Sequence, residues 1–163
     1  MGAALVLEVF NKIGNQMTQR EIILRKFFEE IYGFEYVVQR NWESLPFDYA
    51  VNGHDDLDLF VSDIEKPNIQ RILKEKYPEI LCDVRSPEDD YYPMNLSVLL
   101  LANRVEQDGF YIPNPMAAFF AIYYHNLVHK QDGPYDNKLK DMFKEMFPPV
   151  RCKDRGVGFY DNY

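Results

Sequence analysis

The sequence predicts an α/β fold of the α+β type, in which a short mixed sheet is flanked by helices and followed by C-terminal helices. Thr18 and Glu21 form the capping-box pattern that begins a helix. Strand and helix patterns then alternate over residues 35–85, which is typical of a sheet covered by helices. Asn114 followed by Pro115 provides a helix N-cap and a proline at the first helical position.

The first half of the chain is predicted to contain three strands. After Thr18, apolar residues recur at helical spacing until Gly33, which is a common helix stop. Pro67 suits the first turn of a later helix. The predicted elements are, in order, a weak helix over residues 5–13, the helix from Thr18 to Gly33, strands over residues 35–40 and 56–61, a helix from Pro67 and a strand over residues 79–85.

The second half of the chain is predicted to be mainly helical. Residues 86–93 read as an acidic, aromatic loop, in which Asp89 and Asp90 are solvated, and residues 94–102 are an apolar run that pattern alone assigns to neither state. The remaining predicted elements are a strand over residues 110–112, a helix from Asn114 to about His129 that Gly133 and Pro134 end, and an amphipathic helix carrying Leu139, Met142, Phe143 and Met146 that stops at Pro148 and Pro149.

Length, charge and cysteine content limit the possible functions. The 163 residues suit a single domain, with a core over about residues 18–147 and a loosely held tail over residues 148–163. The net charge of −8 repels a phosphate backbone, which disfavours a general nucleic-acid binder. Cys82 and Cys152 form neither a disulfide framework nor a metal-binding array, so we expect a reduced, cytoplasmic protein. Residues 1–10 lack a basic leader and are too short to span a bilayer, so we expect no membrane association.

Three aspartates carry the candidate chemistry. Asp56 and Asp58 stand two apart in one predicted strand, so alternation places both on one face. Their charges repel each other unless a cation joins them, and ligation by carboxylate oxygens alone favours Mg²⁺ or Mn²⁺ over zinc. Asp83, in the next predicted strand, is the best third ligand. The alternative is a solvated edge strand, whose acidic residues only discourage aggregation.

This arrangement resembles a known superfamily. A helix and a strand, an Asp-hydrophobic-Asp strand, and then a helix and a strand with a third Asp are similar to the polymerase-β-like nucleotidyltransferases. The resemblance covers roughly residues 35–139, and within the superfamily the chain is most similar to an uncharacterised branch that often accompanies surface-polysaccharide biosynthesis. The motifs that carry it are YVVQRNWE at residues 36–43, Asp56-Leu57-Asp58, CDVR at residues 82–85, Tyr123-Tyr124-His125 and His129-Lys130.

The resemblance implies a two-metal displacement at the α-phosphate of a nucleoside triphosphate or sugar nucleotide, with a sugar or glycan as acceptor. In that scheme Asp56 and Asp58 bridge two Mg²⁺ or Mn²⁺ ions, and Asp83 binds the ion that activates the acceptor hydroxyl. The Gly-Ser or Gly-Gly turn with which the superfamily holds the triphosphate is missing, since residues 39–43 read QRNWE. Either Arg40 replaces that turn as a bidentate clamp, or triphosphate binding has been lost. The candidate phosphate-binding residues are Arg40, Arg85, Lys130, His54 and His125.

The histidines and aromatic residues admit further interpretations. His125 and His129 stand four apart on one helical face, but no Glu follows the first, so cleft lining or backbone bonding is favoured over zinc ligation. His54 either touches phosphate or shapes a turn. Trp42 and the Tyr91-Tyr92 pair either stack on a base or sugar or simply line the core and cleft.

Two other functional classes stay open. The missing Gly-Ser turn is compatible with a catalytically inactive module that keeps the nucleotidyltransferase fold and only binds its ligand. The small size and the aromatic content are compatible with an antitoxin-like protein, whose partner is another protein chain.

Overall fold

The computed structural model describes residues 17–47, 56–130, 133 and 135–148. Over these residues five α-helices and two small sheets form the mixed fold that the sequence predicts. The weak helix expected at residues 5–13, His54 and the tail after Pro148 lie outside the described residues. The helices are α1 (Gln19–Ile31), α2 (Lys66–Lys76), α3 (Met94–Ala102), α4 (Pro115–Val128) and α5 (Asp136–Met146), and the strands are β1 (Tyr36–Val38), β2 (Leu57–Val61), β3 (Cys82–Arg85), β4 (Arg104–Gln107) and β5 (Phe110–Pro113).

The main sheet is mixed, as predicted. Its three strands lie in the order β1, β2, β3. β1 runs antiparallel to β2, with Val38 opposite Leu59, and β3 runs parallel to β2, with Asp58 opposite Asp83. Because two parallel neighbours need a crossover, α2 connects β2 to β3.

All three strands are shorter than predicted. β1 ends at Val38 because the chain turns at Asn41, whose backbone is left-handed with a φ of 57°. β3 begins only at Cys82, since the preceding residues form a turn in which Ile80 N donates to Tyr77 O at 3.0 Å. The apolar pattern continues through these residues, but the backbone pairing that defines a strand does not.

Each face of the sheet is covered by a pair of helices. β2 is therefore buried at every position, which is typical of a strand with no solvent-facing side. On one face, the side chains that pack with α1 and α2 include Tyr36, Val38, Leu57, Leu59, Val61 and Val84. On the other face, Val37 and Phe60 pack with Leu96, Leu100 and Leu101 of α3 and with Ala117 and Ala121 of α4.

The helix predictions hold with small differences. Thr18 Oγ1 accepts the Glu21 N–H at 3.1 Å, but the Glu21 carboxylate accepts from Arg25 Nε at 3.0 Å, so only half of the capping box forms in the described part of the chain. α1 ends at Ile31, two residues before Gly33. The undecided apolar run over residues 94–102 is helical as α3, because it covers the sheet on one side.

The C-terminal helices pack on each other. α4 begins at its predicted proline and ends one residue before His129. Of the apolar residues predicted on α5, Leu139 is buried against Ile122 and Met142 is partly buried, whereas Phe143 remains 53 % exposed. The apolar face of α5 is therefore only partly covered within the described residues.

Only one of the two strands in the hairpin of β4 and β5 is predicted from the sequence. β5 corresponds to the strand expected at residues 110–112, but β4 was missed. Asp108 and Gly109 link the two strands with φ values of 51° and 90°, as the tight turns of hairpins require. This Asp-Gly pair is the sequence signal that could have identified the hairpin. Among the described helices, none combines the length and apolar character needed to cross a membrane.

We expect the N-cap of α4 to contribute measurably to stability. Asn114 Oδ1 accepts the Ala117 N–H at 2.8 Å, so Asn114→Ala should lower the free energy of unfolding by about 1 kcal/mol. Urea unfolding measures this change. Asn114→Asp keeps the acceptor and is the matched control, so equal stabilities of the Ala and Asp variants would contradict a capping role.

Candidate functional site

Three polar side chains form a row across one face of the main sheet. Gln39 N donates to Asp58 O at 2.9 Å, next to the paired Val38 and Leu59, and Asp58 lies opposite Asp83. Directly opposed residues in a sheet point to the same face. Gln39, Asp58 and Asp83 therefore lie side by side, on the face that α3 and α4 cover.

Asp56, the remaining predicted carboxylate, lies immediately before β2 and is partly exposed. Burial raises the pKa of Asp58 above its usual value, and the Arg40 guanidinium opposes this rise without cancelling it. The charges of Asp56 and Asp83 raise the pKa of Asp58 further. The three aspartates that the sequence singled out are thus close enough to act on one another.

Arg40 is the direct partner of Asp58. Its Nε donates to Asp58 Oδ2 at 3.1 Å and its Nη2 donates to Asp58 Oδ1, so the guanidinium spans both carboxylate oxygens. The two side chains are 10 % and 4 % exposed, which makes this a buried, bidentate ion pair. Although burial disfavours a charged guanidinium, the Asp58 carboxylate raises the pKa of Arg40 above its usual range. The predicted phosphate clamp is therefore occupied by an internal carboxylate.

His125 and Tyr91 hold the other end of the guanidinium. Arg40 Nη1 lies within 2.9 Å of both ring nitrogens of His125, and Tyr91 Oη lies 2.7 Å from Nδ1 of the same ring. Because a guanidinium has only donors, the ring nitrogen that it bonds accepts. His125 is 3 % exposed. The C-terminal helix α4 thus reaches the aspartate row through one buried imidazole.

His129 has a different role from His125. Its ring stacks on Tyr91 with the ring centroids 4.5 Å apart and an interplanar angle of 6°, and Nε2 lies 3.3 Å from the Tyr91 carbonyl oxygen. The contact with the Tyr91 carbonyl agrees with the expected backbone bonding. Tyr92, the neighbour of Tyr91, is buried in the core against Phe60.

Arg85 and Asp83 form a second, more exposed pair. Arg85 Nε donates to Asp83 Oδ2 at 3.0 Å, and the side chains are 41 % and 38 % exposed. The Arg85 guanidinium also lies 5.5 Å from the centre of the Tyr91 ring. Both arginines predicted to bind phosphate thus pair with predicted metal-binding aspartates.

The acidic loop over residues 86–93 is more ordered than expected. Asp89 Oδ2 accepts the Ser86 N–H at 2.7 Å and begins a single 3₁₀ turn, Pro87–Asp89. Asp89 also pairs with Lys66 at the start of α2. Asp89 and Asp90 are exposed, as expected, but the Asp89 carboxylate also caps the turn that carries the chain toward Tyr91.

Other predicted residues lie away from the aspartate row. Lys130 is exposed just after α4, and none of its side-chain contacts in the described residues joins it to the row. The Lys138 ammonium lies 5.3 Å from the Trp42 ring centre, and it donates to Glu43 at 2.6 Å. Trp42 thus joins α5 to the chain after β1. Burial raises the pKa of the Cys82 thiol well above its usual value, which makes Cys82 a poor nucleophile.

The donors suit a hard divalent cation in type but are held by arginines. Carboxylate oxygens are the ligands that Mg²⁺ and Mn²⁺ prefer. In the described ranges, however, no three His, Cys, Asp or Glu side chains are arranged to hold a metal ion. Both oxygens of Asp58 accept from Arg40, and Oδ2 of Asp83 accepts from Arg85. A cation at Asp58 therefore requires Arg40 to leave.

Gln39 is the residue of the row that sequence reasoning missed. It is 1 % exposed, and neither atom of its amide has a hydrogen-bond partner among the described residues. Asn41 Nδ2, two residues later, is also buried with no partner in the same part of the chain. Buried polar groups are nearly always paired, so the Gln39 amide marks a polar interior beside Asp58. The sequence signal that could have identified Gln39 is its position directly after the apolar residues of β1.

Comparison of the chain with protein-family models, with curated proteins and with solved structures finds no match.

We expect the buried pair to dominate stability at this end of the sheet. Arg40→Met leaves the Asp58 carboxylate buried without its counterion, and should lower the free energy of unfolding by about 3 to 5 kcal/mol at neutral pH. The loss should shrink as the pH falls, because a protonated Asp58 carries no charge. Urea unfolding at several pH values measures it.

The matched control removes both charges. Arg40→Met/Asp58→Leu places apolar side chains where the pair was, and should recover most of the loss of the single variant. A double variant no more stable than Arg40→Met would contradict the interpretation that an uncompensated charge causes the loss.

Proposed function

We propose that this chain is a metal-dependent nucleotidyltransferase, or a transferase of a related phosphoryl group, that acts on a small-molecule, sugar or glycan acceptor. The observation that carries the proposal is the register of β2 and β3, which sets Asp58 directly opposite Asp83 on one face, with Asp56 beside them. Carboxylates on adjacent strands are a donor set for divalent cations.

The order of the elements supports the same proposal. α1 and β1 come first, then β2 with Asp58, then α2, and then β3 with Asp83. This is the succession on which the resemblance to polymerase-β-like nucleotidyltransferases rests. The mixed pairing of the three strands is compatible with it.

The residues divide into metal-binding, proton-accepting and phosphate-binding groups. Asp56, Asp58 and Asp83 would hold Mg²⁺ or Mn²⁺, which would supply electrophilic stabilisation of the phosphate oxygens. The acceptor hydroxyl would attack the α-phosphorus and Asp83 would take the hydroxyl proton, while pyrophosphate would leave from a nucleoside triphosphate and a sugar phosphate from a sugar nucleotide. Arg40 and Arg85 offer planar guanidinium groups to the phosphates.

The net charge limits the choice of acceptor. A net charge of −8 repels a polyanionic backbone, but a bound divalent cation can reverse the sign of the local field around a single nucleotide. A sugar or glycan carries hydroxyl nucleophiles without an extended chain of phosphates. We therefore favour a nucleoside triphosphate or sugar nucleotide as donor, a sugar or glycan as acceptor, and a cytoplasmic location.

A second candidate function is an inactive binding module of the same fold. It is favoured by one observation, the saturation of both Asp58 oxygens by Arg40. If the pair never opens, the aspartate row is a structural element and turnover is lost. The two candidates differ in product formation and share the fold.

We expect ligand binding to require both the metal and the aspartates. Wild-type protein should unfold at a higher temperature when Mn²⁺ and one nucleotide from a panel of nucleoside triphosphates and sugar nucleotides are both present. A ligand at about a hundred times its dissociation constant adds roughly 2.7 kcal/mol to the free energy of unfolding. Asp56→Asn/Asp58→Asn should abolish this shift.

The control variant is Asp141→Asn, which makes the same chemical change in an exposed pair with Lys144. It should shift as the wild type does. Release of pyrophosphate from a nucleoside triphosphate, or of a sugar phosphate from a sugar nucleotide, with a sugar acceptor would support the enzyme. A metal-dependent shift without any release would support the binding module. No shift for any ligand would contradict both.

A further inference from the structure

We infer that Arg40 is the internal occupant of the cation site, so that a divalent cation binds Asp58 only by displacing the Arg40 guanidinium. This inference rests on the proposed function, since it concerns the regulation of the same site. It differs from the expectation that Arg40 is simply a phosphate clamp. The inference follows from the fit of the pair, from the local excess of negative charge and from the unpaired amides around it.

The guanidinium occupies the carboxylate completely. Nε and Nη2 of Arg40 bond the two oxygens of Asp58, and both side chains are almost wholly buried. A divalent cation needs these same oxygens, and they cannot serve both partners. Cation binding and the ion pair are therefore mutually exclusive.

The pair leaves negative charge uncompensated. Asp58 stands opposite Asp83 and two residues after Asp56, and Arg40 pairs with Asp58 while the half-exposed Arg85 pairs with Asp83. Two arginines beside three carboxylates leave one negative charge, which attracts a further cation. A doubly charged ion would neutralise this group more fully than one guanidinium does.

The arrangement with Arg40 on Asp58 also leaves polar groups unsatisfied. Both amide atoms of Gln39 and the amide nitrogen of Asn41 are buried with no hydrogen-bond partner in the described part of the chain, and Gln39 lies beside Asp58 in the row. A well-packed structural ion pair normally satisfies the polar groups around it. A hydrated cation would bring water to this row, so the unpaired amides favour an arrangement that opens.

His125 and Tyr91 give Arg40 a defined anchor. His125 contacts Nη1, the guanidinium nitrogen that does not bond Asp58, and Tyr91 in turn contacts the His125 ring. Arg40 can therefore lose its carboxylate and still keep a hydrogen-bonding partner on α4. The anchor lowers the cost of leaving Asp58.

The test measures binding of the metal alone. Mn²⁺ binding to the full chain is followed by electron paramagnetic resonance, which counts free ions, for wild type, Arg40→Lys, Arg40→Met and Arg71→Met. Arg40→Lys keeps the charge but cannot span both oxygens, so it should bind Mn²⁺ more tightly than wild type. Arg40→Met should tighten binding by about tenfold or more, as expected when the competent state is a minor one.

Arg71→Met is the control for charge. It removes one positive charge from an exposed pair with Glu75 on α2, the helix that packs on the other face of the sheet, and should change the affinity little. Equal Mn²⁺ affinities of wild type and Arg40→Lys, or a gain in Arg71→Met as large as in Arg40→Met, would overturn the inference while leaving the proposed function intact. Absence of Mn²⁺ binding in all four proteins would overturn the proposed function as well.

A second measurement needs no variant, which covers the case in which Arg40→Met fails to fold. The Arg40 Nε–H of wild type should give a distinct, slowly exchanging nitrogen-correlated NMR signal because it is buried on Asp58. Addition of diamagnetic Mg²⁺ should shift that signal and accelerate its exchange. A signal that stays unchanged while Mg²⁺ binds would overturn the inference.

Discussion

The buried pair of Arg40 and Asp58 is the interaction on which the arrangement of this molecule depends. Asp58 is the second residue of a strand that is buried at every position, so its charge has almost no access to water. A carboxylate in such a place requires a cation, and Arg40 supplies it from the turn after β1. The pair then fixes where that turn lies relative to the sheet.

The pair also links the sheet to the C-terminal helices. Arg40 bonds Asp58 at one end and His125 of α4 at the other, and Tyr91 closes the contact from the loop before α3. The aspartate row is therefore enclosed by side chains from distant parts of the sequence. Any change that moves the guanidinium therefore changes contacts both in the main sheet and on α4.

Much of the fold was accessible from sequence, because local signals specify it. Thr18 and Asn114 each accept a backbone N–H in the first turn of a helix, and both cap the helices that they were expected to cap. β4 was missed although Asp108 and Gly109 provide a turn signal, since its residues alternate too weakly to show a strand. The ends of β1 and β3 depend on backbone pairing, which apolar pattern alone does not reveal.

The candidate site was accessible in part. Alternation placed Asp56 and Asp58 together, and the strand, helix and strand pattern led to Asp83. The partners of these residues were not predictable, because Arg40 meets His125 across 85 positions of sequence. Sequence spacing reports which residues share a strand or helix face, and carries no information on which charge a distant side chain compensates.

The fold favours a functional role for the aspartates over a purely structural one. A solvated edge strand would explain acidic residues that face water, but β2 is the central strand and Asp58 is buried. A purely structural ion pair would explain Asp58 and Arg40, but it leaves the neighbouring amide of Gln39 buried with no hydrogen-bond partner in the described ranges. The proposed exchange of one cation for another would account for the burial of the pair, for the register that sets Asp58 opposite Asp83 and for this amide together.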